Sequence, residues 1–480
     1  MQLRSPALWL LFLATSLFGI ASNGQAEKNK QPNLIILLAD DLGWTGLRSF
    51  GSDFYETPQL DAFVESGMKF TDAYAACTVC SPTRASIMTG KYPARLNLTD
   101  FISGQNRPWA KLQIPDWTKG LEKKYVTMPE ALKTAGYQTW HIGKWHLDFP
   151  QDRNSGDPGT GPKAHGFDLT VNRPRGTRGY FVNKPEDPDF QYLTEAYTEE
   201  AVKLINNGKD KPFFLYMAYQ VPHTPIQGRP DLVEYFKKKV DPNATHHNPE
   251  YAAMVASLDQ SVGAILEQLD ESGIADNTIV VFVSDNGGLT ERYKVHDDFT
   301  ENLPLRRGKG SAYEGGVRVP MAVRWPGVTK PGSVCDEPVM TIDFYPTFME
   351  AAKVSSENQA QDPIDGVSLL PLLKKPKATI DRNLYWHHPH YHAGGGDDGP
   401  YTAVRSGRWR LIEFHEGNRI ELYDLKKDIG ETKNLASEMP EKVEALHQQL
   451  VDWRESVSAQ MPTPNPNYNP AKAMQVKARR

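Results

Sequence analysis

The sequence predicts an α/β fold: a large mixed, mostly parallel sheet flanked by helices, followed by a smaller C-terminal α+β subdomain with an antiparallel sheet. Three observations predict it. Two continuous apolar runs, residues 33–41 (NLIILLADD) and 277–287 (NTIVVFVSDNG), end in acidic or amide residues. Runs of this kind are strands buried on both faces, as in parallel sheets. An amphipathic stretch at helical spacing, residues 249–273, precedes the second run, and such alternation of helix and strand is the α/β pattern. Near residue 376 that rhythm gives way to short strands joined by turns.

The elements follow in order. Arg4 precedes an apolar run over 7–20, and Gly24-Gln25-Ala26 fits a cleavage site. Residues 1–26 are therefore expected to be a secretory signal peptide. The run is short of the roughly 20 residues that a membrane span needs. No later stretch is apolar enough to span, so export to the periplasm or outside is expected, without stable membrane insertion. Residues 27–375 form the main α/β domain. Within it, 128–146 (MPEALKTAGYQTWHIGKWH) reads as a helix, a break at Gly136 and a strand over 137–142. Residues 212–220 and 317–327 add further strands. Residues 376–460 form the α+β subdomain. There 405–414 and 419–424 read as antiparallel strands joined by the turn His415-Glu416-Gly417-Asn418, and a helix covers 440–458. Residues 461–480 are rich in Pro and Asn, then basic, and read as an extended or disordered tail.

Composition excludes some function classes. The net charge is -5 with 24% charged residues, which gives no general attraction to nucleic acid or anionic lipid. Three cysteines allow at most one disulfide. The core, rather than cross-links, must hold the fold, and Cys77 and Cys335 are expected to be buried free thiols. Asn97-Leu98-Thr99 and Asn243-Ala244-Thr245 are sequons for a host that glycosylates.

Ligands of open α/β sheets bind beyond the carboxyl ends of strands. Two such ends here carry Asp40-Asp41 and Asp285-Asn286. Oxygen-only ligands suit a hard cation, Ca²⁺ or Mg²⁺. The stretch CTVCSPTRASIMTGKYP, 77–93, holds two of the cysteines. A redox pair would open a helix in a thioredoxin-like unit, and no such context is present. A zinc knuckle needs a second ligand pair at fixed spacing. A phosphate loop needs an earlier Gly and a hydroxyl after the Lys. What remains is Cys80-Ser81-Pro82-Thr83-Arg84 followed by Thr89-Gly90-Lys91.

Cys-x-Pro-x-Arg with a downstream Thr-Gly-Lys resembles the signature of type I, formylglycine-dependent sulfatases, a branch of the alkaline phosphatase superfamily. Further segments resemble the same family in order: Gly143-Lys144-Trp145-His146, Pro222-His223-Thr224-Pro225, and Gly308-Lys309-Gly310 ahead of Tyr313-Glu314-Gly315-Gly316. Glu421-Leu422-Tyr423-Asp424-Leu425 with Asn434-Leu435 resembles its small second domain. The resemblance implies a secreted, arylsulfatase-like carbohydrate sulfatase that hydrolyses sulfate esters. It implies that a separate maturation enzyme oxidises Cys80 to formylglycine (3-oxoalanine). Asp40, Asp41, Asp285, Asn286 and the matured Cys80 would hold one Ca²⁺, in preference to Mg²⁺. Arg84 would hold the hydrated aldehyde, Lys144 would grip sulfate oxygens, and His146 would hydrogen-bond the nucleophile's spare hydroxyl. His223 and Lys309 would serve the sulfate and the leaving oxygen. The chemistry suits these residue types, because cations offset the repulsion between an anionic ester and its nucleophile. A covalent intermediate followed by proton transfer divides one difficult step into easier ones.

Two clusters bear on substrate. Arg173, Arg175 and Arg178 lie in a Gly/Pro-rich loop, and His388, His390 and His392 alternate before a Gly-rich stretch. The histidines read as a rim for a sulfated sugar, as a metal site, or as a strand end with no ligand. A sulfated galactose or N-acetylgalactosamine at a chain end is the expected substrate. The alternatives are a phosphonate monoester or phosphodiester hydrolase of the same superfamily and, in another class, a non-catalytic sulfated-glycan binder. His141 has no motif around it and reads as structural.

Overall fold

The computed structural model describes residues 31–149, 159–174, 176–292, 295–296, 299–392 and 398–475. Residues 1–26, expected to be a signal peptide, and Arg175 lie outside the described residues. The first apolar run forms β1 (Asn33–Ala39), at the centre of an eight-stranded sheet. The other strands are β2 (Met68–Phe70), β3 (Gln138–Gly143), β4 (Leu169–Val171), β5 (Phe213–Ala218), β6 (Thr278–Ser284), β7 (Met321–Arg324) and β8 (Ser333–Cys335). Their order is β8-β2-β7-β6-β1-β5-β3-β4. All neighbours pair parallel except β7, which runs against both β6 and β2. The burial of β1 explains its unbroken apolar sequence. Leu34, Ile36 and Leu38 join the core on one face of the sheet, and Ile35 and Leu37 join the core on the other.

Helices cover both faces. We label α1 (Cys80–Thr89), α2 (Met128–Thr134), α3 (Leu193–Gly208) and α4 (Pro249–Glu271). Every residue of α1 is buried, including its polar ones. Ala85, Ile87 and Met88 join the core on one side, while the burial of its polar residues, Cys80 and Arg84 among them, suits a role in a site.

The C-terminal subdomain is a four-stranded antiparallel sheet of β9 (Asn383–His388), β10 (Tyr401–Ser406), β11 (Trp409–Phe414) and β12 (Arg419–Asp424), in that order. The strand expected over 405–414 is in fact the junction of two. Gly407, at φ +55°, reverses the chain between β10 and β11, a conformation that glycine adopts without the Cβ penalty. Helix α5 (Pro440–Ser456) covers one face of this sheet through Leu446 and Leu450. The other face shares a core with the main domain, where Trp386, Tyr401 and Ile412 meet Tyr74, Tyr92, Met340 and Ile342. Trp386 Nε1 donates to Ala75 O at 2.9 Å. Arg410 enters this seam fully buried, donating to Glu314 Oε1 at 2.6 Å and to Ala312 O at 2.7 Å. Beyond α5, Thr463–Pro464 pairs antiparallel with Leu112–Gln113 of the main domain.

No helix among the described residues is long and apolar enough to cross a membrane. Cys77, Cys80 and Cys335 are all buried and free.

Candidate active site

The site forms where β1, β3, β5 and β6 end. Consecutive strand residues normally point to opposite faces. Asp41 escapes that rule because its backbone turns left-handed, at φ +65°, a conformation that Asp tolerates better than most residues. Asp40 and Asp41 thus face one centre, within reach of His223. The end of β6 is tied to them, since Asp41 N donates to Asp285 Oδ1 at 3.2 Å and Leu42 N to Ser284 Oγ at 3.0 Å. Asn286 Nδ2 donates to Asp41 Oδ1 at 2.8 Å.

Helix α1 brings Cys80 and Arg84 beneath these carboxylates. The Arg84 guanidinium donates twice to Asp285 Oδ2, from Nε at 2.9 Å and Nη2 at 2.7 Å, and from Nη1 to Lys144 O at 2.7 Å. Lys144 Nζ reaches Asp40 Oδ2 at 2.5 Å, and Lys309 Nζ reaches Asp41 Oδ2 at 2.8 Å. Gly143 makes the first of these possible. A Cβ there would lie 2.1 Å from Ala218 O, and its φ is +100°. Gly143→Ala is expected to cost about 2–4 kcal/mol and to displace Lys144. Thermal unfolding together with activity on an aryl sulfate checks this.

Cys80 Sγ lies 3.3 Å from His146 Nδ1, and His146 Nε2 lies 2.6 Å from Ile102 O. A carbonyl only accepts, so Nε2 carries the proton and Nδ1 turns a lone pair toward Cys80. His223 is held by the same logic, with Nδ1 donating to Thr224 O at 2.6 Å and Nε2 3.7 Å from Asp41 Oδ2.

The electrostatics follow from burial and charge. Burial opposes ionisation of Asp40, but Lys144, His223, Arg84 and Lys309 outweigh it and hold the carboxyl far below its usual range. Burial likewise opposes ionisation of Asp41, and Lys309 and His223 prevail. Asp285 goes the other way: burial and the neighbouring Asp40 push it up, against Arg84. Burial lowers His146 well below its ordinary value, and Lys144 adds to this, so the ring is a neutral acceptor. Burial works against the Lys309 cation, but Asp41 holds it charged.

Asp40 Oδ1 and Asn286 Oδ1 are buried without any hydrogen-bond partner. Buried polar atoms are normally satisfied. Two orphan oxygens beside Asp41 and Asp285 form a donor set that a hard cation would satisfy. Cys80, Asp40 and Asp285 are also close enough together to share one ion.

The sulfatase family profile matches residues 32–354, which spans every side chain just described. The chain belongs to the sulfatase family. A second profile, the C-terminal part of N-sulphoglucosamine sulphohydrolase, matches residues 308–456 of this sulfatase. A sulfatase of Formosa agariphila is 31% identical over 88% of this chain and 87% of its own. The human N-acetylgalactosamine-6-sulfatase is 30% identical over 76% of this chain and 70% of its own. The crystal structure of Ps i-CgsB in complex with k-i-k-neocarrahexaose superposes with a TM-score of 0.73 at 28% identity. That superposition covers 92% of this chain and 95% of that one. The reaction class is hydrolysis of sulfuric esters.

The other residues singled out in the sequence divide. Arg173 and Arg178 are exposed, on a loop that Tyr180 ties to the His223 segment by donating to His223 O at 2.7 Å. His388 and His390 are each 1% exposed and His392 is 8% exposed. His388 and His390 close around Asp100, and His392 lies against Gly310, next to Lys309. His141 is buried among Trp145, Phe167 and Tyr216, a structural setting. No sequence signal marked Asp100. It is a single acid in a mixed stretch with no motif around it, and only the fold buries it to 1%.

Proposed function

We propose that this sulfatase removes sulfate from sulfated carbohydrate of the galactose or N-acetylgalactosamine type, with formylglycine formed from Cys80 and with one Ca²⁺. The observation that carries the reading is one linked cluster at the strand ends: Asp40 and Asp285 beside Cys80, Asp41 beside Asp40, Asn286 and Lys309 on Asp41 and Lys144 on Asp40, with two of the oxygens unpartnered. Formylglycine at position 80 would supply a hydrated aldehyde as oxygen nucleophile, in place of a thiol that burial makes hard to ionise. Asp40, Asp41, Asp285 and Asn286 would hold Ca²⁺, whose charge neutralises sulfate oxygens. The chain's own residues do the rest. His146 Nδ1 accepts a proton at position 80. Lys144 and Lys309 exchange their carboxylate partners for sulfate oxygens. Lys309 is charged and can protonate the leaving alcohol. Burial lowers His223, and Lys309 adds to this against Asp41; an entering anion shifts it toward the protonated form.

The named activity of the human relative and the carrageenan oligosaccharide bound by Ps i-CgsB support the carbohydrate reading. Arg173 and Arg178 on their exposed loop, and His392 beside Gly310, are the side chains we assign to the sugar. Maturation requires a formylglycine-generating enzyme, and the leader-like N-terminal sequence supports export.

Mass spectrometry of the peptide bearing Cys80 tests the mechanism, in protein from a host that has the maturation enzyme. An unmodified thiol in active protein would overturn it. Parallel assays on an aryl sulfate and an aryl phosphodiester test the reaction, and a faster diester rate would refute it. Removing Ca²⁺ with a chelator is expected to abolish activity and lower the unfolding temperature. Restoring Ca²⁺ at about 100 Kd should return about 2.7 kcal/mol of stability, and Mg²⁺ less. A glycan panel then reads the sugar.

A further inference from the structure

His146 acts only if its ring is held in one tautomer and one orientation, and the group that holds it is a backbone carbonyl in a loop. That carbonyl, Ile102 O, belongs to the turn 99–102. The turn is fixed at one end to the nucleophile's helix, because Ile102 N donates to Ser81 Oγ at 3.1 Å, one residue after Cys80. Its other end is held by a different part of the molecule. Thr99 Oγ1 lies 2.8 Å from His390 Nε2. Asp100 packs against both rings, with Oδ1 3.6 Å from His388 Nε2 and Oδ2 4.0 Å from His390 Nδ1, longer than hydrogen bonds. Asp100 Oδ1 also accepts from Phe101 N at 2.8 Å, so the same carboxylate shapes the turn itself.

Asp100, His388 and His390 are each 1% exposed, and Thr99 is 2% exposed. His388 is the last residue of β9 and His390 follows two positions later. Trp117 packs edge-on against the His390 ring, with centroids 5.5 Å apart, and restrains it from the other side. An acid and two imidazoles in this enclosure cost desolvation that apolar residues would avoid. Their placement is explained if they position the turn.

We propose that Asp100, His388 and His390 are positioning residues: from the C-terminal sheet they anchor the turn 99–102, whose carbonyl fixes the His146 ring against position 80. The proposal rests on the reading of His146 as the proton acceptor at that position. The cluster touches neither sulfate nor nucleophile and acts through one peptide group. Supporting groups of this kind matter because a displacement of about 1 Å at a reacting pair can cost about 10²-fold in rate.

The test has two arms. In protein whose Cys80 is left as a thiol, ¹⁵N NMR of labelled histidine rings reads the His146 tautomer without any turnover. The wild type should show a single form with the proton on Nε2, and His390→Ala should show a mixture. In matured protein, His390→Ala should lower kcat on an aryl sulfate by about 10–100-fold with KM within about twofold. His390→Gln keeps a donor in reach of Thr99 and should recover most of that loss. Asp100→Asn is the second variant should His390→Ala fail to fold, and it should show the same split. An unchanged tautomer together with an unchanged kcat overturns the proposal. So does a rise in KM at constant kcat, which would assign the cluster to substrate. If the wild type hydrolyses no sulfate ester, the functional reading fails while the NMR arm still decides the anchoring.

Discussion

Cys80→Ala is expected to lower kcat/KM on an aryl sulfate by about 10⁴-fold or more, while the protein stays folded. The expectation follows from what stands around Sγ. It is 3.3 Å from His146 Nδ1 and shares a centre with Asp40 and Asp285. Removing it deletes the one atom on which those groups converge. The adjacent Ser81 cannot substitute, since its hydroxyl accepts from Ile102 N. The stability cost should be small, about 1 kcal/mol, because Ala keeps the start of α1 intact. Activity and thermal unfolding, measured on the same preparation, separate a lost nucleophile from a lost fold. Residual activity within tenfold of wild type would refute the assignment of position 80.

Arg410→Met should destabilise the protein by about 3–5 kcal/mol. Arg410 is fully buried, pairs with Glu314 and lies 3.4 Å from Glu431. Its guanidinium also stacks over Trp386, 4.7 Å from the ring centroid. Met has a similar length but no charge, so Glu314 and Glu431 would be left as buried acids with less compensation. The penalty is mainly theirs. Burial already raises the Glu431 carboxyl to about 8, with Glu314 adding to this against Arg410. A double-mutant cycle of Arg410→Met with Glu314→Gln should recover part of the loss. Denaturant unfolding checks this, and a loss below about 1 kcal/mol would show that the network is not holding the seam.

The parts of the molecule that could be read from its sequence share one property: their signal is local. The acids of Asp40-Asp41 and Asp285-Asn286 directly follow apolar runs, and the runs are β1 and β6. Cys80 and Arg84 are one helical turn apart in α1, so the motif and the structural unit coincide. What was not legible depends on distant partners. Strands β2, β4 and β8 have three residues each, too few for any period to show. The reversal of β7 reflects its route between β6 and β2, not its composition. Asp100 meets His388 only because segments 288 positions apart are brought together when the C-terminal sheet docks. His388 and His390 had the right spacing to share a direction, but spacing alone could not distinguish solvent from a buried acid. The boundary inside 405–414 turned on Gly407, whose left-handed backbone is visible only in the structure.

The core shared between the C-terminal sheet and the main domain bears on how this protein can be altered or can arise. Trp386 and Arg410 are half of an interior whose other half, Tyr74, Tyr92 and Glu314, belongs to the first part of the chain. Cutting the chain before β9 would leave both halves with exposed aromatic surface and unpaired buried charge. Neither piece is therefore a transferable module. Chimeras between relatives should exchange both parts of this interior together, and the whole should melt in one cooperative transition. A scanning calorimeter would show that as a single peak, and two resolved peaks would mean that the interior divides.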